Sequence, residues 1–270
     1  MRYFIRFSYN GTNYHGSQVQ PNGNTVQAEL ERALSLLLRT PISTTFAGRT
    51  DAGVHAEVMY THFDYPSIFD TLTTVERQSL DTLSHLVFRL NGVLPDDIAV
   101  QEIRPVRDDA HARFDATSRT YEYRIIDRKD VFCPNTRTRV RPGLNFNAMN
   151  EAARPLLGRQ DFASFCRAHT DVKTTICNVT RAEWSLITPS PVEGRAGEGS
   201  GVFTITADRF LRNMVRAVVG TLFDVGYGKI KADDVRNIIR SQSRQSAGQS
   251  APAEGLFLTD IQYPEDIFLS

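Results

Sequence analysis

The sequence predicts an α+β protein built as two halves. Strand-like and helix-like segments alternate along the first hundred or so of the 270 residues, and a similar alternation begins again after Asp108 to Ala116. The length and the 41% apolar content allow one large domain or about two smaller ones, each with its own core. The expected division is 1–110 and 111–270.

Tyr3 to Ser8 places aromatic and branched residues in near alternation, which reads as a first strand ended by the Asn10-Gly11 turn signal. A polar loop runs from Tyr14 to Asn24. Asn24 then reads as an N-cap with Gln27 three residues on, and Val26, Leu30, Leu34, Leu37 and Leu38 share one helical face up to about Pro41. Glu57 to Tyr65 reads as a strand, Val75 to Leu90 as a helix with Leu83, Leu86, Val87 and Leu90 inward, and Ile98 to Val106 as a strand. In the second half the pattern gives a strand at Thr120 to Ile126, a helix at Ala148 to Leu157, and strands at Asn178 to Ile187 and Val202 to Asp208. A helix follows from Phe210 to Val225, with Phe210, Met214, Val218 and Leu222 as its core stripe and Gly226 as its C-cap. A short helix near Asp233 to Arg240 and a strand from Leu256 to Tyr263 finish the chain. Pro189 to Ser200 has no apolar period and reads as a hairpin loop or insertion; Ser241 to Ser250 is similarly poor in core formers. Neither stretch is expected to hold chemistry.

Acidic and basic residues balance at 31 each, so no bulk positive field draws the chain to nucleic acid or an anionic membrane, and any such site is a local patch. Of the basic residues, 27 are Arg and four Lys. That skew is either codon bias or a use for the planar guanidinium, which forks onto phosphate and stacks on bases. Cys133, Cys166 and Cys177 are odd in number and form no C-x-x-C pair, so neither a disulfide framework nor a zinc site is indicated. No stretch approaches the roughly 18 apolar residues of a membrane span, and Met1 leads directly into a strand. A cytoplasmic protein is expected.

Gly48-Arg49-Thr50-Asp51-Ala52-Gly53-Val54-His55-Ala56 sets one carboxylate in a glycine-flanked turn between regular elements, where catalytic groups tend to sit. The same residues are also plain turn formers, since Asp bonds its own backbone and Gly53 tolerates positive φ. Arg49 supplies a nearby cation that would keep the Asp51 carboxylate ionised. His55 is either a third member or a packed residue. In Arg119-Thr120-Tyr121-Glu122-Tyr123-Arg124, strand alternation puts both tyrosines on one face and Thr120, Glu122 and Arg124 on the other. The aromatic face is either core or a ring on which a base stacks. Residues 104–141 hold ten Lys or Arg against six Asp or Glu, and Arg137, Arg139 and Arg141 alternate as a phosphate-tracking strand face or a solvated edge would. Arg209, Arg212 and Arg216 fall at i, i+3 and i+7 on one side of the helix opening at Asp208, as solvated residues or as an ion-pair partner for a carboxylate. The histidines lack H-x-x-H or H-x-x-x-H spacing, and neither G-x-x-x-x-G-K-[ST] nor G-x-G-x-x-G occurs. A metal, a nucleoside triphosphate or a dinucleotide is not indicated.

GRTDAGVHA at 48–56 resembles the catalytic motif of the TruA-type tRNA pseudouridine synthases, and the similarity continues over nearly the whole chain. It runs through FSYNGTNYHG, QPNGNTVQ, LNGVLPDDIAV, HARFDATSRTYEYRI, GRQDFASF, FLRNMVRAVVGTLFDVG and APAEGLFL. The resemblance implies two similar halves, each a mainly antiparallel sheet with helices on one face, about a basic cleft. It implies a homodimer with no cofactor and no metal, acting on the anticodon arm of tRNA at uridines 38, 39 and 40. It makes Asp51 the catalytic aspartate and Tyr121 the residue that stacks on or positions the uracil. Arg49 would help displace the base, Arg216 would pair with Asp51, and Leu256 would line the pocket. Three positions depart from the usual pattern: Ser17 where Trp is common, Ala110 where an aromatic often precedes the His-Ala-Arg-Phe run, and Cys177 where a basic residue is common. The alternative from a different class is a non-catalytic tRNA-binding or folding module with the same surfaces.

Overall fold

A computed structural model describes residues 1–21, 23–66, 82–167, 173–187 and 200–269. The chain divides into two compact units, one formed by Met1–Thr117 with Leu258–Ser270 and the other by Ser118–Phe257. Mixed α+β structure with mostly antiparallel strand pairing follows in each.

In the first unit β1 (Arg2–Tyr9) lies between β3 (His55–Asp64) and β4 (Ile98–Val106), antiparallel to both. β2 (Thr45–Phe46), which the sequence pattern missed, pairs with the far end of β3, and the last strand, β10 (Leu256–Gln262), follows β3 in the sheet. Tyr3, Phe4, Ile5 and Phe7 are all essentially inaccessible, so β1 is covered on both faces rather than half-buried.

Helix α1 (Val26–Leu38) starts one residue later than predicted, because the Thr25 hydroxyl, not Asn24, accepts from the Ala28 N–H. Gln27 does not close a capping box; its side chain bonds Glu31, the Thr44 carbonyl and the Val19 N–H. Val26, Leu30 and Leu34 are buried as their spacing requires, with Ala33 beside them, and Arg39 ends the helix in the left-handed region at φ 55°. α2 (Thr82–Val93) packs on β4 and α1 with Leu86 and Leu90 buried; the expected start of this helix at 75–81 lies outside the described residues.

The expected division at 110/111 puts the chain's end in the second half, whereas residues 258–270 belong to the first unit. The reason is aromatic. Tyr263 and Phe268 meet Phe4 edge-on at 5.2 and 6.1 Å, Arg104 lies 4.1 Å over the Phe268 ring, and Arg107 N–H donates to the Ile267 carbonyl. Tyr263 and Phe268 are half-buried, so each gains only part of the about 1.5–3 kcal/mol that full burial of such a ring gives.

In the second unit the strand order is β5 (Ser118–Ile126), β9 (Gly201–Ala207), β8 (Ile176–Leu186), β7 (Gly158–Asp161), all antiparallel, with β6 (Thr138–Arg139) parallel to the end of β5. Tyr123, Phe203 and Ile205 are fully buried, and Trp184 packs against Phe146, Phe203 and Phe223. α3 (Phe146–Ala153) is capped by Asn145 and continues as a 3-10 turn over Arg154–Leu156, where Pro155 cannot extend the α ladder. Cys177 is fully buried, and burial pushes its thiol up to about 12. The hairpin loop read between β8 and β9 lies, over 188–199, outside the described residues.

α4 (Met214–Gly226) is shorter than predicted. Asn213 sits in the left-handed region at φ 65°, which stops the helix there and leaves Arg209, Phe210 and Arg212 in the preceding turn. The three-arginine face is therefore not a helix face. Met214, Val218 and Leu222 form the buried stripe. Gly226 is not the cap: Tyr227 is, Gly228 takes positive φ, and Gly226 is small because a Cβ there would meet Leu144 and Met149 at under 3 Å. The polar stretch 241–250 follows α5 (Asp234–Ser241) and packs onto α4, where a Cβ on Gly220 would lie 1.7 Å from the Gln249 carbonyl oxygen.

Two outcomes follow. Gly220→Ala raises helix propensity by about 1 kcal/mol, yet the clash with Gln249 makes it net destabilising by about 1–3 kcal/mol, read as a lower urea midpoint; a raised midpoint would refute the packing. His62 is buried and its Nδ1 accepts the Ala112 N–H at 3.1 Å. Burial, with Arg2 and His111 nearby, holds its pKa down to about 4 from 6.5. The unfolded chain binds this proton first, so stability is full above pH 6.5 and falls as pH drops from 6.5 to 4. The thermal midpoint should show that fall, and His62→Gln should lessen it; equal falls in both proteins would assign the acid sensitivity elsewhere.

Candidate active site

Asp51 stands in the tight connection between β2 and β3. Its carbonyl accepts the Val54 N–H at 3.2 Å, and Gly53 takes φ 77°, so the turn chemistry read from Thr50-Asp51-Ala52-Gly53 is what forms. Asp51 and Gly53 are half-buried and Ala52 exposed, while Thr50 and Val54 are buried, so the connection presents residues 51–53 and anchors its ends.

That anchorage comes from residues 9–17, the segment after β1. The Ser17 Oγ accepts the Thr50 N–H at 2.9 Å, while the Ser17 N–H donates to the Thr50 carbonyl at 3.2 Å. The Thr50 and Tyr9 hydroxyls share a buried hydrogen bond of 2.8 Å. Gly11 N–H donates to His55 Nδ1 at 3.1 Å, and a Cβ on Gly11 would sit 2.0 Å from the Val54 carbonyl oxygen. Gly16 has φ 100°, and a Cβ there would be 2.9 Å from the Thr50 carbonyl oxygen. Both glycines thus let one stretch of backbone lie directly against another. His55 is buried, and accepting at Nδ1 leaves its proton on Nε2 in the neutral ring. It is the packed residue of the two readings. Arg49, two residues before the carboxylate, is exposed.

The remaining three residues belong to the second unit. Tyr121 is half-buried on β5 and meets Phe210 edge-to-face with centroids 5.1 Å apart, while Tyr123, two residues on, is fully buried with its hydroxyl donating to the Pro252 carbonyl. The shared tyrosine face thus divides into one core ring and one ring nearer the surface. Arg124 and Glu122 on the opposite face pair at 2.8 Å. Arg216, in the first turn of α4, donates from Nε to the Ala251 carbonyl at 2.7 Å, and its own carbonyl accepts the Ala251 N–H at 2.9 Å. Around it, Asn213 bonds Ser250, Gly248 N–H donates to Thr221, and Arg244 bonds the Ala247 and Gly248 carbonyls. Ala251, directly after the stretch 241–250 read as without chemistry, is therefore the partner of Arg216, and residues 247–250 of that stretch pack beside it. Leu256 is buried at the end of a turn whose Gly255 is pressed against Tyr123, Thr138 and the Arg124 carbonyl.

Of the basic segment 104–141, β6 includes only Thr138–Arg139. Arg137 lies 3.9 Å from Asp130 and Arg141 lies over the Tyr227 ring at 5.2 Å, so the three arginines do not form one strand face. Among the described residues, no group of three His, Cys, Asp or Glu is placed to hold a metal ion, and no helix is long and apolar enough to cross a membrane. Sequence reading missed the parts played by Ser17, Tyr9 and Thr50. The one available signal was two glycines five residues apart in a polar loop, next to a strand.

Comparison with known proteins bears on the whole chain. The family described as tRNA pseudouridine synthase matches residues 152–264. The tRNA pseudouridine synthase A of Bacteroides thetaiotaomicron is 50% identical over 267 residues, covering 99% of this chain and 92% of that protein. Its namesake in Bacteroides fragilis is 49% identical over 99% of this chain and 98% of its own. The tRNA pseudouridine synthase A of Bacillus subtilis is 38% identical, covering 97% of this chain and 99% of that protein. With identity of this level from end to end, the chain belongs to the tRNA pseudouridine synthase family.

Proposed function

We propose that this chain is an isomerase that converts uridine to pseudouridine in the anticodon arm of tRNA, with Asp51 as its catalytic carboxylate. The observation that carries the reading is the clasped turn: Thr50 is bonded on its N–H, carbonyl and hydroxyl, which fixes the backbone from which Asp51 projects. Membership in the synthase family supports the reaction class, and GRTDAGVHA supports the residue.

The reaction keeps every atom of the base. The N1–C1′ glycosidic bond breaks, the uracil turns, C5 bonds to C1′, the proton on C5 leaves to solvent and N1 takes one up in its place. No redox or group-transfer partner enters that balance. The target base must first leave its stack, at a cost of a few kcal/mol. Stacking on Tyr121 and insertion of the exposed Arg49 offset that cost, since base–aromatic stacking contributes about 1–3 kcal/mol. Asp51 then acts on the sugar, either attacking C1′ or taking a proton, and must be ionised to do so. An arginine pairs with a carboxylate through charge-assisted hydrogen bonds that fix its direction. Arg216 takes that part, with its direction set by Ala251, and Leu256 gives the pocket an apolar wall. In this reading the two units are related halves about a basic cleft, two copies of the chain form the working homodimer, and the enzyme acts in the cytoplasm without a cofactor or metal. The excess of basic over acidic residues in 104–141 supplies local positive charge despite a neutral chain.

Tritium release from tRNA containing 5-tritiated uridine tests the assignment. Wild-type protein should release tritium, with pseudouridine mapping to the anticodon arm, and Asp51→Ala should lower the rate by roughly 10²–10⁴-fold or more. Undiminished release by the variant would remove Asp51 from the chemistry. Binding of tRNA by the wild type without any release would instead favour a non-catalytic module.

A further inference from the structure

We propose that Ser17 is a positioning residue for the carboxylate of Asp51, acting through the peptide of Thr50. The proposal rests on the reading of Asp51 as catalytic and extends it to a residue outside the GRTDAGVHA motif. Ser17 is fully buried. Its hydroxyl accepts from the N–H of Thr50 and its N–H donates to the carbonyl of the same residue, at 2.9 and 3.2 Å. One side chain and one amide thereby hold the residue immediately before Asp51 from both ends. The remaining polar atom of Thr50, its hydroxyl, is bonded to Tyr9.

The clasp is itself anchored. The Ser17 carbonyl accepts the Gln27 N–H at 3.0 Å in the first turn of α1, and Gln27 reaches on to Glu31 and the Thr44 carbonyl just ahead of β2. Gly16 supplies the approach, because at φ 100° and with Thr50 2.9 Å from any Cβ, only glycine brings Ser17 this close. The direction of a side chain is set by the φ and ψ of its own residue and by the peptide before it. The Ser17 hydroxyl holds the 49–50 peptide and the Ser17 N–H the 50–51 peptide, so together they fix the φ and ψ of Thr50 and thereby aim Asp51; a misplacement of about 1 Å can cost about 10²-fold in rate.

Steady-state tritium release with wild-type and variant proteins, each checked for its thermal midpoint, reads the effect. Ser17→Ala removes the acceptor and should lower kcat about tenfold with KM for tRNA within about twofold of wild type, since only a step after binding is disturbed. Ser17→Thr keeps a hydroxyl and should recover most of that loss. If Ser17→Ala does not fold, Tyr9→Phe removes the other side-chain bond to Thr50 while keeping the ring, and should lower kcat about threefold at unchanged KM. Wild-type kcat in a folded Ser17→Ala protein, a loss confined to KM, or a Ser17→Thr protein as slow as Ser17→Ala would each overturn the proposal, as would wild-type kcat in Tyr9→Phe should Ser17→Ala not fold. Asp51→Ala, assayed alongside, separates the two claims. Activity in that variant defeats the catalytic reading itself, whereas a dead Asp51→Ala beside a fully active Ser17→Ala defeats only the positioning role.

Discussion

The close approach of two backbone stretches, residues 11–17 and 50–54, is the constraint on which the site depends. A loop tip left to itself samples many conformations, and ordering its backbone costs about 1–2 kcal/mol per residue. Here the cost is offset by hydrogen bonds with little access to water. Each contributes only about 1 kcal/mol net, but losing one partner strands a dry polar group at about 1–3 kcal/mol. Gly11 and Gly16 are the steric condition for all of them, since a Cβ at either would enter the opposite carbonyl. Rigidity of this turn thus comes from a neighbouring segment and only in part from its own Asp and Gly.

The second unit repeats the device with different parts. Arg216 emerges from the first turn of a buried helix and is tied at Nε and at its carbonyl to Ala251, while Gly220 and Gly248 let the 247–251 backbone lie on α4. Gly255 does the same for the turn leading to Leu256. In both units a side chain proposed for the site is held by contact between main chains, and glycine marks where that contact occurs. Tyr121 differs, being aimed by its place in a regular strand and by the edge of Phe210.

Much of the fold was legible. Apolar period alone located β1, β3, β4, β5, β8, β9, β10 and the buried stripes of α1 and α4 to within a few residues, because burial of a regular face leaves a regular spacing. The failures are local and have causes. Asn24 and Thr25 are both good caps, and only the geometry of Ser17 and Gln27 decides between them. The start of α4 depends on one left-handed asparagine, which no hydrophobic period records. The strands β2, β6 and β7 are too short to show a period of two. The return of the chain's end to the first unit was hidden because Tyr263 reads as an ordinary strand end and Phe268 falls in no predicted element, whereas their partner Phe4 is over 250 residues away. At the site, the motif residues were visible as residue types, but what holds Thr50 was not, since hydrogen bonds between distant loops leave no pattern in sequence.

Amide hydrogen exchange at Thr50, followed by NMR in the free protein, tests most directly whether the turn is set in advance by its neighbour. The Thr50 N–H lies buried against Ser17 Oγ, so its exchange should be slowed by at least about 10²-fold relative to an unprotected amide, and Ser17→Ala should remove most of that protection. Exchange at the unprotected rate in the wild type would contradict a preset turn and leave Asp51 to be ordered only by its substrate.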